Sequence, residues 1–391
     1  MINPVVKQKV LKVDTIGIKK FKPNTPYCTM KYQHRPKRRV TPFGLILTGL
    51  VLFGQGWMLP SQGQLIRQQR EALSEQEIES VNLGIRLKQR FAGHTTPIRS
   101  LAFSPDGKTV ISGGGTNEPF LKFWSIEHGD EVDTLRAQSS AILTLAVSPN
   151  GKTLVSSGED ADLHFWVWPD KDSKVSFFDH YSYVLDLVVT PDSQLVITGA
   201  LDGLRVWTLD PPHFLYQLED FGTPGYALAM HPNGFLVASG DDEGTVSFWN
   251  LRDKTVVSKF TAHSQTISGL AITPDQKTLI TASHDSTIKI WDLASGNLLD
   301  TWRGHKGKIQ SIALSPNGKL LASASLDGVR LWNVETGRLL RHFKDHADWV
   351  NVVAFSPDGQ YLASGGFDKV VNLWEISPAF YQSLNLPRFS R

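Results

Sequence analysis

Residues 346–374 read HADWVNVVAFSPDGQYLASGGFDKVVNLW. Two short runs in this stretch, Val350-Asn-Val-Val-Ala-Phe355 and Tyr361-Leu-Ala-Ser364, show the period-two pattern of strands with one buried face. Ser356-Pro357-Asp358-Gly359 between them supplies the residue types that a tight turn needs. A second polar turn at Asp368 leads into a third strand that ends in Trp374. Such a unit is too small to hide its own apolar side, so a chain built on it should repeat it.

It does repeat. A Ser, Thr or His followed by Pro recurs at Ser104-Pro105, Ser148-Pro149, Thr190-Pro191, His231-Pro232, Thr273-Pro274, Ser315-Pro316 and Ser356-Pro357, in steps of 44, 42, 41, 42, 42 and 41 residues. Each landmark follows one apolar run and precedes another. The third strand of each unit ends in Trp124, Trp166, Trp207, Trp249, Trp291, Trp332 or Trp374, which accounts for seven of the eleven tryptophans as packing residues. A fourth strand follows, as in Asn297-Leu-Leu-Asp-Thr-Trp302 and Arg338-Leu-Leu-Arg-His-Phe343. Four short strands in a unit of this length make one propeller blade. The fold class expected is therefore all-β, a seven-bladed propeller of four-stranded antiparallel blades over residues 81–376.

The pattern resembles the WD-repeat family, and within it the bacterial periplasmic members. Eleven residues before the landmark Pro stands the family's His, here His94, His180, His263, His305 and His346, with Gln138 and Phe221 in its place in repeats two and four. The resemblance implies a hydrogen-bonded network of His, Ser or Thr, Asp and Trp inside each blade. Complete sets are His180, Thr198, Asp202, Trp207; His263, Thr281, Asp285, Trp291; His305, Ser323, Asp327, Trp332; and His346, Ser364, Asp368, Trp374. Once water is removed these groups must satisfy one another, because each unmet group costs about 1–3 kcal/mol. Repeats one, two and four depart from the set, and repeat one carries two extra residues near Thr116–Pro119, so these blades are expected to be looser. The resemblance also implies that the segment 81–91 pairs with the last repeat and closes the ring, removing an open sheet edge.

In WD-repeat propellers partners are recognised on one rim through three positions per blade: three and five residues after the His, and the residue before the turn Asp. Carried onto this chain, the large apolar residues among them are Tyr183, Leu185, Leu201, Tyr226, Leu326, Trp349 and Phe367. Rigid rings of this kind make binding hot spots. The competing reading is that they turn inward and only pack the rim.

Ahead of the repeats the composition changes. Residues 1–42 are basic, with eleven Lys or Arg and only Asp14 as an acid in the first forty; residues 43–59 are uncharged and mostly apolar. Such a run behind Arg35, Lys37, Arg38 and Arg39 reads as an amino-terminal apolar helix, either a signal-peptide core or a transmembrane anchor. It would leave the propeller periplasmic or otherwise extracytoplasmic, anchored to the membrane or released after cleavage. Met30 heads a more ordinary signal than Met1 does. Residues 60–80 read as a linker, and 377–391 as a tail that either wraps the last blade or is free. The overall charge of +2 splits into +10 on the first forty residues and −8 on the rest, which excludes a propeller that binds nucleic acid through its phosphates.

No catalytic constellation emerges. There is no His-Glu-x-x-His run or paired-cysteine motif, and the sole cysteine, Cys28, precedes the apolar run. Asp241-Asp242-Glu243-Gly244 sits where each repeat places a turn acid, and Gly113-Gly114-Gly115 lies between strands and not before a helix. The expectation is thus a non-enzymatic scaffold with no cofactor and no metal, whose partners are other proteins or peptides. Two rivals are a propeller that uses its central channel to bind a small molecule or lipid, an enzyme acting there included, and a cytosolic signalling scaffold.

Overall fold

A computed structural model describes residues 84–218 and 224–384. Every strand in it belongs to one of seven four-stranded antiparallel sheets. Blade 1 runs through Ile98–Phe103, Thr109–Gly114, Phe120–Ser125 and Glu131–Arg136 from the inside outward, and the next five blades repeat this order. Blade 7 is composite. Its inner strands are Val350–Phe355, Tyr361–Gly366 and Val370–Ile376, and its outer strand is Ile85–Ala92 from the other end of the chain. The innermost strand of each blade contacts that of the next, and blade 7 contacts blade 1, so the ring is closed.

The cores lie between blades and not within them. One cluster joins Phe91, Ile98, Phe103 and Trp124 to Ala363, Val371 and Leu373, across the seam of blades 7 and 1. Six further clusters fill the other seams in the same way. Each blade buries its two faces only against neighbours, which is why a repeat of 41–44 residues needs the whole ring. Close approach at the seams depends on small residues: a Cβ on Gly240 or Gly365 would stand 2.4 and 2.6 Å from side-chain atoms of Ile267 and Ile98 in the following blade.

The start of the tail is ordered. Ser377 caps a short helix, α1 (Pro378–Ser383), by accepting the Phe380 N–H at 3.2 Å. Phe380 is buried with Ile85, Trp374 and Ile376, and the Tyr381 hydroxyl donates to the Gly359 carbonyl at 2.8 Å. The helix therefore covers the junction of the first and last strands of the propeller. The apolar run 43–59 lies outside the described residues; among those described, no helix is long and apolar enough to cross a membrane.

Candidate docking face

In a four-stranded meander the first and third turns fall on one side of the disc. The middle turn and the link to the next blade fall on the other, and all the rim positions named above lie on that second side. The middle turn is supported by the buried network behind it. In blade 3, Trp207 Nε1 donates to Thr198 Oγ1 at 3.0 Å, Thr198 Oγ1 meets His180 Nε2 at 2.7 Å, and His180 Nδ1 meets Asp202 at 2.8 Å. Asp202 then accepts the Tyr181 N–H at 2.9 Å, locking turn to link. Blade 5 repeats this through Trp291, Thr281, His263 and Asp285, at 3.0, 2.7 and 2.9 Å. Blade 6 does so through Trp332, Ser323, His305 and Asp327, at 2.9, 2.6 and 2.6 Å. In blade 7, His346 meets Ser364 at 2.5 Å and Asp368 at 2.9 Å, with its ring edge to face against Trp374.

Burial drives the His180, His263 and His305 pKa values down against the pull of their aspartates, which favours neutral rings. For Asp202, Asp285, Asp327 and Asp368 burial alone would raise the carboxyl. Hydrogen bonds, from His180, Tyr181 and Arg205 in the case of Asp202, outweigh it and hold all four below the usual carboxylate range.

Blade 1 differs from the expectation of a loose repeat. Its two extra residues carry Glu118 into the place of the missing aspartate: Glu118 lies 3.1 Å from His94 Nδ1 and accepts the Thr95 and Thr96 N–H groups, each at 2.9 Å. His94 still meets Ser112 at 2.6 Å, and Trp124 donates to Ser112 at 2.7 Å. The longer arm of Glu compensates for the longer turn. Blade 2 is looser, since Gln138 Nε2 reaches Ser156 only at 3.4 Å and Gln138 Oε1 is buried without a partner. In blade 4, Trp249 donates to Ser239 at 2.8 Å and Asp241 caps the turn by accepting the Thr245 N–H at 2.7 Å, while Phe221 lies outside the described residues.

The rim positions are brought together by the backbone. The Phe367 N–H donates to the Trp349 carbonyl at 2.8 Å and the Leu201 N–H to the Tyr183 carbonyl at 3.2 Å, so turn and link residues of one blade are neighbours. Tyr183, Leu326 and Trp349 are 48%, 45% and 41% exposed; Leu185, Leu201, Tyr226 and Phe367 are half-buried. Trp349 and Phe367 meet edge to face at 6.0 Å, and the Arg99 guanidinium lies 5.2 Å from the Phe367 ring.

The residues five after the His line the mouth of a central channel with a cavity volume of about 320 Å³. Arg99, Leu143, Leu185, Ser268, Gln310 and Asn351 are each skipped in the pairing of the first two strands of their blade. A bulge thus aims each of them off the ladder toward the axis. Hydrogen bonds then cross from blade to blade around the channel, from Ser100 Oγ to the Ile142 carbonyl at 2.8 Å and from Asn351 Nδ2 to the Ile98 carbonyl at 2.8 Å. Among the described residues the only charged groups lining the channel are Arg99 and Asp186.

Asp186 joins three blades by accepting the Leu187 N–H at 2.8 Å, the Leu228 N–H at 2.7 Å and a hydrogen bond from Thr144. The residue is half-buried, yet its carboxyl is enclosed, and burial pushes it up to about 7. Its contribution to folding is therefore full below the unfolded value near 4 and fades as the pH rises through about 7. Thermal melts should show the Asp186→Asn variant gaining on the native protein between about pH 5 and about pH 8. A constant difference across that range would contradict this account. Sequence reading missed both Asp186 and a group in blade 2, Asp160 and Asp162 of the middle turn and His164 of the strand after it, whose potential metal-ligating atoms come within 4.8 Å of one another.

Seven such blades, five of them with a histidine paired to a carboxylate under the turns of one face, define a propeller assembled from a blade-sized repeat. The chain belongs to the WD domain, G-beta repeat family, whose model matches residues 85–125, 129–167, 172–207, 226–250, 254–292, 296–333 and 337–375. It is 25% identical over 208 residues to Apoptotic protease-activating factor 1 of Rattus norvegicus, covering 48% of this chain and 16% of the relative. To Actin-interacting protein 1 of Drosophila melanogaster it is 26% identical, over 46% of this chain and 31% of the relative. To Anaphase-promoting complex subunit cdh1 of Dictyostelium discoideum it is 32% identical, over 34% and 18%. The matches thus span less than a third of each relative. All three relatives are eukaryotic, so the narrower likeness to bacterial periplasmic members rests on the sequence reading alone.

Proposed function

We propose that this chain is a non-enzymatic scaffold that docks partner proteins or peptides on the face carrying the middle turns. The observation that carries this reading is the exposed Trp349, stacked edge to face on Phe367 beside Arg99, on turns held rigid by the network beneath. Ordered aromatic rings that remain open to water lose little entropy on binding and bury much area. Names among the relatives point the same way, an actin-interacting protein and a subunit of a complex. The channel favours a scaffold over an enzyme, because its one carboxylate is held by two backbone N–H groups and the Thr144 hydroxyl, and no second carboxylate or histidine lines the channel among the described residues.

The basic segment and apolar run at 35–59 support placing the propeller outside the cytoplasm, anchored or released. Protease accessibility in intact cells tests that placement, and protection of the propeller would overturn it. Affinity capture from membranes, followed by mass spectrometry, tests the docking face. Proteins enriched by the native chain should be lost with Trp349→Ala/Phe367→Ala, while the melting temperature stays nearly the same because neither ring belongs to a seam core. Equal capture by the double variant would remove this face from consideration.

A further inference from the structure

The docking face is electrically divided. On blades 2 to 4, the links and middle turns at 137–142, 158–163, 178–184, 200–203, 224–227 and 240–245 contain no Lys or Arg. They do contain Glu159, Asp160 and Asp162 on the blade 2 turn and Asp242 and Glu243 on the blade 4 turn. None of these five carboxylates forms an ion pair with a described residue, and Arg205 of blade 3 is committed to Asp202 at 2.7 Å. Asp160 Oδ1 is buried without a hydrogen-bond partner. The carboxylates of Asp160 and Asp162 come within 4.8 Å of each other, two acids crowded on one turn. Between the acidic turns stand Tyr183, exposed, and Tyr226, whose phenol is pushed up by burial and by Asp242 beside it. Across the channel mouth the balance reverses, with Arg99, Lys306, Lys308, Lys344 and Lys369 exposed against the exposed Asp345 and Asp348, the latter's carboxylate accepting its neighbour's N–H.

We propose that the sector of blades 2 to 4 receives a Lys- or Arg-bearing segment of a partner protein, its cations between the two acidic turns and its aliphatic stems over Tyr183 and Tyr226. This rests on the docking-face reading above and adds the chemistry of the partner. A bound inorganic cation could satisfy one turn only. Two acidic turns separated by a blade with tyrosines call for several cations on one polymer, and long basic side chains cover aromatic surface while keeping their charge toward the acids. The basic sector opposite would repel such a segment and so fix where it lies.

The test uses the full chain in detergent and two fluorescent peptides at low ionic strength, one alternating Arg with Leu and Gly, the other with Glu in place of Arg. The basic peptide should bind at least about tenfold more tightly than the acidic one. Neutralising the two turns together (Asp160→Asn, Asp162→Asn, Asp242→Asn, Glu243→Gln) should weaken it about tenfold. The pair Glu127→Gln/Asp130→Asn, on the opposite side of the disc, should leave it unchanged, and all variants should melt cooperatively. No binding of the basic peptide, tighter binding of the acidic one, or indifference to the neutralised turns overturns the proposal. Loss of basic-peptide binding in Trp349→Ala/Phe367→Ala without loss in the neutralised variant would keep the docking face and discard the cationic partner. Indifference to both sets would discard both.

Discussion

A chain lacking residues 81–92 will not melt cooperatively, and its near-ultraviolet circular dichroism will be lost. The outer strand of blade 7 comes from this segment, pairing from Ile85 with Ile376 to Ala92 with Val370. Phe91 is buried in the core between blades 7 and 1, and Ile85 in the core between blades 6 and 7, where it meets Phe380 of helix α1. Deletion opens two of seven seams at once and bares the edge of Val370–Ile376 to other chains. In a closed ring there is no terminal blade to absorb the damage, because each blade's apolar faces exist only as halves of seams. The single substitution Phe91→Ala should already cost about 3–5 kcal/mol by denaturant titration. A soluble, cooperatively melting deletion product would show that six blades and a three-stranded seventh are self-sufficient.

The blade count and the closing strand were legible because they rest on spacing. The recurrent Ser-Pro turns and strand-three tryptophans fix four strands per unit, and the stretch before Gly93-His94 has the place and pattern of a fourth strand lacking its own blade. Glu118 was not legible as part of the network. Its position is two residues out of register, and only folded coordinates reveal that the longer turn and longer side chain cancel. Nor was the aim of Arg99, Leu185 or Asn351, since it depends on a bulge, and a skipped residue in a ladder leaves no trace in strict alternation. Asp186 reads in sequence as a polar residue in an alternating strand. Its role depends on backbone N–H groups of two blades converging on it, Leu187 of its own and Leu228 of the next.

The substitution Asp202→Ala should cost about 3–5 kcal/mol at neutral pH, far more than its counterpart Asp368→Ala in blade 7. Both carboxylates support a histidine and a link N–H, through His180 and Tyr181 in blade 3 and His346 and Ala347 in blade 7. Asp202 alone of the two also accepts from an arginine, Arg205, and both members of that pair are almost fully buried; the residue three after Asp368 is the apolar Val371. Removing the Asp202 carboxylate strands a buried guanidinium that cannot shed its charge, whereas removing Asp368 leaves no arginine behind. Replacing both members, Asp202→Ala/Arg205→Met, should therefore recover most of the loss, which a purely steric effect would not allow. The acid side supplies an independent check. Asp202 is held well below its ordinary pKa, so its contribution is present above the unfolded value near 4 and is lost as the pH falls below it. The gap between native protein and Asp202→Ala in urea titrations should narrow steadily below about pH 4. Glu118, Asp285, Asp327 and Asp368 are depressed in the same sense, so acid weakens five blades together. A gap that stays constant into acid would mean that the cost of the substitution lies in packing and not in the charge.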